Sequence, residues 1–163
     1  MHKSSAQRVR ANFEDRSADM AAILREFEER FFALNPALRA RLGDNLGEPE
    51  RQFVATLATV ARNLERIDVL EEPLMSLGAR LTRYGALPEH YAQMRDCLIP
   101  ALAKSSGATW NPQLERDWFL GLTIVCEGLL KGALRAAADR LAASRSGEVH
   151  VLTGFGPRTN VPR

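Results

Sequence analysis

The stretch that decides the fold is "LMSLGARLTRYGALPEHY", which runs from Leu74 to Tyr91. It predicts the end of one helix, a glycine stop, a short turn and a proline that begins the next helix. Four leucines lead into the break at helical spacing and form one apolar stripe. The last of them lies one turn before the break and is expected to face inward. The four are Leu70, Leu74, Leu77 and Leu81.

Apolar stripes of the same kind recur along the chain and predict an all-α protein of six to seven helices. Prolines and glycines divide these stripes, because proline suits the first turn of a helix and glycine suits its C-terminal cap. The expected helix starts are Pro36, Pro49, Pro88 and Asn111–Pro112, and the expected cap is Gly85.

The chain is expected to form one helical domain, residues 1–143, followed by a flexible tail, residues 144–163. The last helix is long and should fray near Ser144. The tail is rich in glycine and proline and has no lasting period. Its segment "EVHVL", residues 148–152, could pair as a short strand, but a free tail is favoured.

Composition limits the classes of function. The chain has 163 residues, 45% of them hydrophobic, and a net charge of +2, which is typical of one folded domain and too small to indicate a nucleic-acid partner. No apolar run approaches the ~18 residues of a membrane span, and the N-terminus lacks the apolar core of a secretory signal. Cys97 and Cys126 lie in apolar helical patterns, which indicates buried thiols in a reducing cytoplasm.

No motif of a known enzyme class is present. The sequence has no glycine-rich phosphate loop, no metal-spaced cluster and no nucleophile elbow. Adjacent acidic pairs such as Glu71–Glu72 point in different directions on a helix and are more typical of a solvated face. We therefore expect a protein that is not an enzyme and that holds no metal.

Three segments, in order and correctly spaced, resemble bacterial globins. "EFEERFFALNPALRARL" (Glu26–Leu42) is similar to the junction of their second and third helices. "VARNLERIDVLEEPLMSLGARLTRYGALPEHY" (Val60–Tyr91) aligns without a gap to flavohaemoglobins and single-domain globins, and "WNPQLERDWFLGLTIVCEGLL" (Trp110–Leu130) is similar to their final helix. The resemblance covers about residues 5–140 and implies a globin-like fold.

The residues that hold haem in that family are absent here. The proximal histidine, which binds the iron, aligns with Leu81, and leucine has no lone pair to give a metal. The distal tyrosine aligns with Glu28, and the glutamate that supports the proximal histidine aligns with Ala133. Its partner tyrosine is kept as Tyr91.

Two further family positions have also changed. The phenylalanine that stacks on the porphyrin aligns with Leu42, and the polar distal residue of the fifth helix aligns near Pro49. The resemblance therefore implies a dismantled haem site, and no cofactor is expected.

Haem held by a different ligand is the first alternative. His90 is the candidate axial ligand, although its position in the family is commonly polar and solvent-facing, so a surface histidine is favoured. Met75, Met94 and Cys97 are possible soft ligands, but none replaces a histidine convincingly.

A haem-sized void would cost on the order of 10 kcal/mol if it stayed open and dry. Side chains are therefore expected to fill it, although an apolar ligand such as a fatty acid is another solution. Glu28 is expected to be solvated rather than inward. The remodelled pocket is predicted from Phe27, Glu28, Phe31, Phe53, Leu57, Leu77, Leu81, Tyr91 and Met94.

The resemblance implies a non-haem globin-like module of bacterial signalling, acting as a sensor or as a protein-interaction surface. The alternatives are a haem globin that binds oxygen or nitric oxide through an atypical ligand and a binder of a small apolar molecule. A homodimer through the last two helices is expected, with Trp110 and Phe119 at its interface, together with an unknown signalling protein acting in trans. No nucleic-acid or membrane partner is expected.

Overall fold

Seven α-helices joined by short turns make up the part of the chain that the structure, a computed structural model, describes. It describes residues 1–42 and 47–152, with side chains for residues 1–41 and 51–145. Single 3-10 turns precede α2 and follow α5 and α6. The helices are α1 (Lys3–Asp15), α2 (Met20–Leu34), α3 (Pro36–Leu42), α4 (Gly47–Asn63), α5 (Ile67–Leu81), α6 (Pro88–Ser106) and α7 (Pro112–Leu152).

Three of the four predicted helix starts agree with the structure, and α4 begins at Gly47, two residues before Pro49. Pro36, Pro88 and Pro112 are the first residues of α3, α6 and α7. The Asn111 side chain caps α7, because its Oδ1 accepts hydrogen bonds from the backbone N–H groups two and three residues later, each at 3.0 Å. Gly85 ends the turn after α5 with a left-handed φ of 87°, a conformation that glycine adopts without a Cβ penalty.

The last helix ends later than the sequence suggested. Its backbone stays helical past Ser144 as far as Leu152, so the segment "EVHVL" is helical and does not form a strand. Residues 153–163, the remainder of the expected tail, lie outside the described residues.

A buried polar network joins α1 to α6 and α7. Trp118 is 1% exposed, and its indole Nε1 donates to Asn12 Oδ1 at 2.9 Å. Asn12 Nδ2 in turn donates to Ser106 Oγ at 3.0 Å. Because each of these buried polar groups has a partner, the network fixes the position of α1 without leaving an unpaired donor.

An ion pair lies beside this network at the start of α7. The Arg8 guanidinium donates to the Asp117 carboxylate, which is buried although Arg8 is largely exposed. Burial raises the pKa of Asp117, but hydrogen bonds from Arg8, Ser5 and Gln113 outweigh that effect, so its pKa lies below the usual range. The carboxylate is therefore stabilised in its charged form.

Helices α5 and α7 cross with their backbones in contact, and glycines make this possible. A Cβ on Gly78 of α5 would overlap the carbonyl oxygen of Leu129, and a Cβ on Gly132 of α7 would overlap the carbonyl oxygen of Met75. A Cβ on Gly128 would lie 2.8 Å from a side-chain atom of α5. Small residues allow such close approach, so this crossing fixes the position of α5.

Within the described residues, none of the helices combines the length and the apolar character needed to cross a bilayer.

Candidate ligand-binding cavity

A cavity of about 170 Å3 lies among α2, α4, α5, α6 and α7. Most of its wall is apolar, and polar side chains contribute at a few points. Eight of the nine residues that the sequence assigned to a remodelled pocket line it: Phe27, Glu28, Phe31, Phe53, Leu57, Leu77, Leu81 and Met94.

Aromatic rings occupy part of the space that a larger cofactor would need. Phe27 of α2 stacks on Phe53 of α4, with ring centroids 5.0 Å apart and an interplanar angle of 10°. Phe27 also stacks on Phe31, at 5.4 Å. The expected filling by side chains is therefore partial, since a cavity remains beyond these rings.

The leucine stripe of α5 divides into a packed part and a cavity-lining part. Leu70 and Leu74 are 1% and 3% exposed, because they pack against the core. Leu77 and Leu81 are only half-buried, since they border the cavity. Leu81 thus faces inward as predicted, with an apolar side chain at the position where the resemblance implies a metal ligand.

Glu28 differs from the favoured expectation. It is half-buried and lines the cavity instead of lying fully in solvent. It also interacts with another group, so its carboxylate is not isolated. The sequence placed Phe27 and Phe31 on the apolar face of α2, and Glu28 lies beside that face. The cavity between the helices leaves room for the Glu28 side chain there.

The surface location favoured for His90 is wrong, because the residue is 8% exposed and lines the cavity. Its ring lies edge-on to Phe31, with centroids 6.1 Å apart. Its Nδ1 accepts a hydrogen bond from the backbone N–H of Leu87 at 3.0 Å and so caps α6. A neutral imidazole whose Nδ1 accepts carries its proton on Nε2, which leaves no lone pair on Nε2 for a metal.

Tyr91 does not line the cavity, contrary to the prediction. It is 2% exposed and lies behind the wall, where its hydroxyl donates to the Gly78 carbonyl at 3.5 Å. Burial raises its pKa. Its backbone carbonyl accepts from the thiol of Cys126, which does line the cavity. Burial raises the pKa of Cys126 to about 11, so this thiol is not activated.

The two residues proposed for an interface lie in different surroundings. Phe119 is 45% exposed, and the Arg95 guanidinium lies 4.2 Å from its ring centroid. Trp110 is half-buried against the core, and its indole N–H donates to Glu115 at 3.3 Å. Phe119 therefore faces outward as expected, whereas Trp110 offers less free surface.

The remaining haem-related positions do not line the cavity or lie outside the described side chains. Ala133 is buried in α7. The side chains of Leu42 and Pro49 lie outside the described part of the chain. Met75 does not line the cavity, and Cys97 is buried away from it.

Sequence reasoning missed the glycines that hold α5 against α7. The signal was present as Gly128 and Gly132, four residues apart, a spacing that places two small residues on one helix face. It also missed that Arg95 lines the cavity, because a charged residue next to Asp96 is more typical of a solvated helix face.

Across the described residues, no group of three or more histidine, cysteine or acidic side chains is placed to hold a metal ion. No known family model matches the chain. No curated protein sequence matches it either.

Proposed function

We propose that the chain is a non-haem globin-like sensor or interaction module whose cavity takes a small apolar molecule. The observation that carries this proposal is the position of Leu81 in the wall of a largely apolar cavity. The resemblance to bacterial globins implies a haem ligand at this position. An aliphatic side chain there favours dispersion contacts and gives a metal nothing to bind.

The size of the cavity supports a small ligand. A cavity of about 150 Å3 lined by aliphatic and aromatic groups stays dry and binds benzene. The space here is about 170 Å3. Pockets for larger molecules usually exceed ~300 Å3, so a compact apolar molecule fits this space better than a porphyrin.

The energetics also favour an occupant. Phe53, Leu77 and Leu81 line the cavity and are only half-buried, so the cavity exposes apolar surface. Covering such surface is favourable by about 25 cal/mol for each Å2 removed from water. An apolar ligand recovers part of this free energy and thereby links occupancy to the stability of the module.

The geometry of His90 argues against the haem alternative. To bind iron through Nε2, the imidazole would have to move its proton to Nδ1 and release the Leu87 amide. That change would remove the hydrogen bond by which His90 caps α6. Haem binding through His90 is therefore the less supported function.

A haemin titration of the purified chain, followed by absorption near 400 nm, tests this choice. Wild type should give no sharp band. Leu81→His, which supplies an imidazole at the cavity wall but no space for a porphyrin, should give at most a weak one. Leu77→His is the matched control, since it places a histidine one turn earlier on the same wall. Stoichiometric haem binding by wild type would overturn the proposal, and loss of that binding in His90→Ala would identify the ligand.

Binding of a small apolar molecule is tested separately by native mass spectrometry and by thermal shift with benzene. Benzene should raise the unfolding temperature of wild type. It should raise that of Leu81→Phe less, because the larger side chain fills part of the cavity. Equal shifts in the two proteins would place the benzene elsewhere.

An interaction surface on α7 is a second candidate, because this helix exposes several large apolar side chains. Leu120 is 52% exposed and Phe119 is 45% exposed. Leu134 and Leu141 follow at multiples of seven residues from Leu120, a spacing that returns to nearly the same helix face. Several exposed apolar side chains on one side of a helix are typical of surfaces that associate with other proteins.

Sedimentation tests the proposed homodimer. Phe119→Glu should lower the mass from that of a dimer to that of a monomer, because a charge would be buried in the interface. Asp139→Lys is the control, because Asp139 is exposed on the same helix but lies on the side away from Phe119. An unchanged mass for Phe119→Glu would refute this interface.

A further inference from the structure

A second concave space lies between α4 and α5, next to the cavity. It is a groove of about 240 Å3, and Gln52, Thr56 and Leu77 line both it and the cavity. Because three residues belong to both walls, one layer of side chains at most separates the two spaces. The groove is therefore placed to join the cavity to the surface.

The packing of α4 explains why the groove exists. The C-terminal half of α4 is fixed in the core, where Val60 and Ala61 are 1% and 2% exposed. Its N-terminal half, at Gln52 and Thr56, is only half-buried. On the opposite wall, Pro73 lies inside α5 and lines the groove; a proline there removes one backbone hydrogen bond of the helix.

The polar groups of the groove differ in their freedom to bind a ligand. The hydroxyls of Thr56 and Thr59 already donate to backbone carbonyls of α4, at 2.7 and 2.8 Å. Gln52 also has a partner. The remaining polar side chain of the groove is Arg80, which offers five N–H donors and a positive charge at the exposed rim of the groove.

Arg80 has no ion-pair partner in the described part of the chain, and the described lining of the groove contains no acidic residue. Arg95, the arginine that lines the cavity, differs in this respect. Its guanidinium is paired with Asp96 at 2.8 Å and lies over the Phe119 ring. Of the two arginines that line these spaces in the described part of the chain, only Arg80 lacks an ion pair.

We propose that the groove is a polar subsite for the head of an amphipathic anion whose alkyl tail enters the cavity. The acidic head binds the Arg80 guanidinium, and the tail passes Thr56 and Leu77 to reach Leu81. This inference rests on the proposed function, since it requires the cavity to take an apolar group. It adds the chemical class of the ligand and the direction from which the ligand enters.

Calorimetric titration of the full chain with sodium octanoate and with 1-octanol tests the subsite. The two probes share a tail and differ in the charge of the head. Wild type should bind octanoate about two- to fivefold more tightly, because an ion pair at an exposed rim adds modestly to the common tail contacts. Arg80→Gln should remove this preference, because it should lower the affinity for octanoate more than the affinity for octanol.

Arg83→Gln is the matched control, because Arg83 is an exposed arginine in the turn after α5 that lines neither space. It should keep the preference for octanoate. In wild type the preference should also shrink in ~1 M salt, where charges are screened beyond about 3 Å; this readout requires no variant.

The outcomes separate the two proposals. If octanol binds wild type as tightly as octanoate, or if Arg83→Gln acts like Arg80→Gln, the polar subsite is wrong and the apolar cavity stands. A preference for octanoate that salt leaves unchanged would also refute the subsite. If neither probe binds and benzene gives no thermal shift, the proposed function fails together with the inference.

Discussion

The crossing of α5 and α7 gives the sharpest prediction, because backbone meets backbone there. A Cβ on Gly78 would overlap the carbonyl oxygen of Leu129, and neither group can rotate away as a side chain can. Gly78→Ala should therefore force the two helices apart. Leu77 and Leu81 lie beside Gly78 on α5, so the cavity wall should move with it.

The expected change in the free energy of unfolding for Gly78→Ala is the difference of two opposing contributions. Overpacking a close contact costs typically ~1–3 kcal/mol, and this site should lie at or above the upper end because both partners are rigid. Alanine recovers about 1 kcal/mol of helix propensity relative to glycine. The net loss should be about 2 kcal/mol, which corresponds to roughly 4–8 °C in unfolding temperature for a chain of this size.

Gly121→Ala is the matched control on α7. A Cβ there would lie 3.1 Å from Leu64 Cδ1, the end of a flexible side chain, so the clash can be relieved. Its stability should stay within about 1 kcal/mol of wild type, because helix propensity offsets the small clash.

Urea unfolding followed by tryptophan fluorescence measures both variants, since Trp118 lies in the core. For Gly78→Ala, the urea concentration at the midpoint of unfolding should fall. The dependence of the free energy of unfolding on urea concentration should stay unchanged. Benzene or octanol should also bind this variant less tightly, because α5 carries part of the cavity wall. If Gly78→Ala proves as stable as Gly121→Ala, the close crossing described above is wrong.

Two further predictions concern the polar contacts of α1 and α7. Asn12→Leu should lower the free energy of unfolding by about 1–3 kcal/mol, because it leaves the buried Trp118 indole N–H without an acceptor; urea unfolding checks this, and a change below ~0.5 kcal/mol would show that the network is dispensable. Asp117 has a lowered pKa in the folded state, so its stabilisation is present above its unfolded pKa and is lost as pH falls through the folded pKa. Asp117→Asn should therefore be less stable than wild type at pH 7 and should lose less stability between pH 5 and pH 2; equal slopes of stability against pH would refute this.

Much of the fold could be predicted because local chemistry decides it. A proline at the first turn, an asparagine cap at Asn111 and a left-handed glycine at Gly85 act within a few residues of chain. Apolar side chains at helical spacing must face a common core whatever the neighbours are. For the same reason most of the predicted pocket residues, Leu81 and Phe27 among them, do line the cavity.

The candidate site needed the tertiary structure wherever a residue depends on a partner from another helix. His90 opens α6 and would be solvated there, but it is buried because α2 brings Phe31 against it. Tyr91 follows directly and points away from the cavity, since its hydroxyl reaches α5. The sequence pattern contains neither the distance from His90 to Phe31 nor that from Tyr91 to Gly78.

By itself, the sequence determined that the chain is all-α, where most of its helices begin, and that leucine stands at position 81. Only the tertiary structure decided that a cavity remains beside Leu81 and that a groove at Arg80 adjoins it. The physical reason is that apolar periodicity determines which face of each helix turns inward. How closely two faces approach depends on both helices, as the backbone contact at Gly78 and the open groove at Thr56 show.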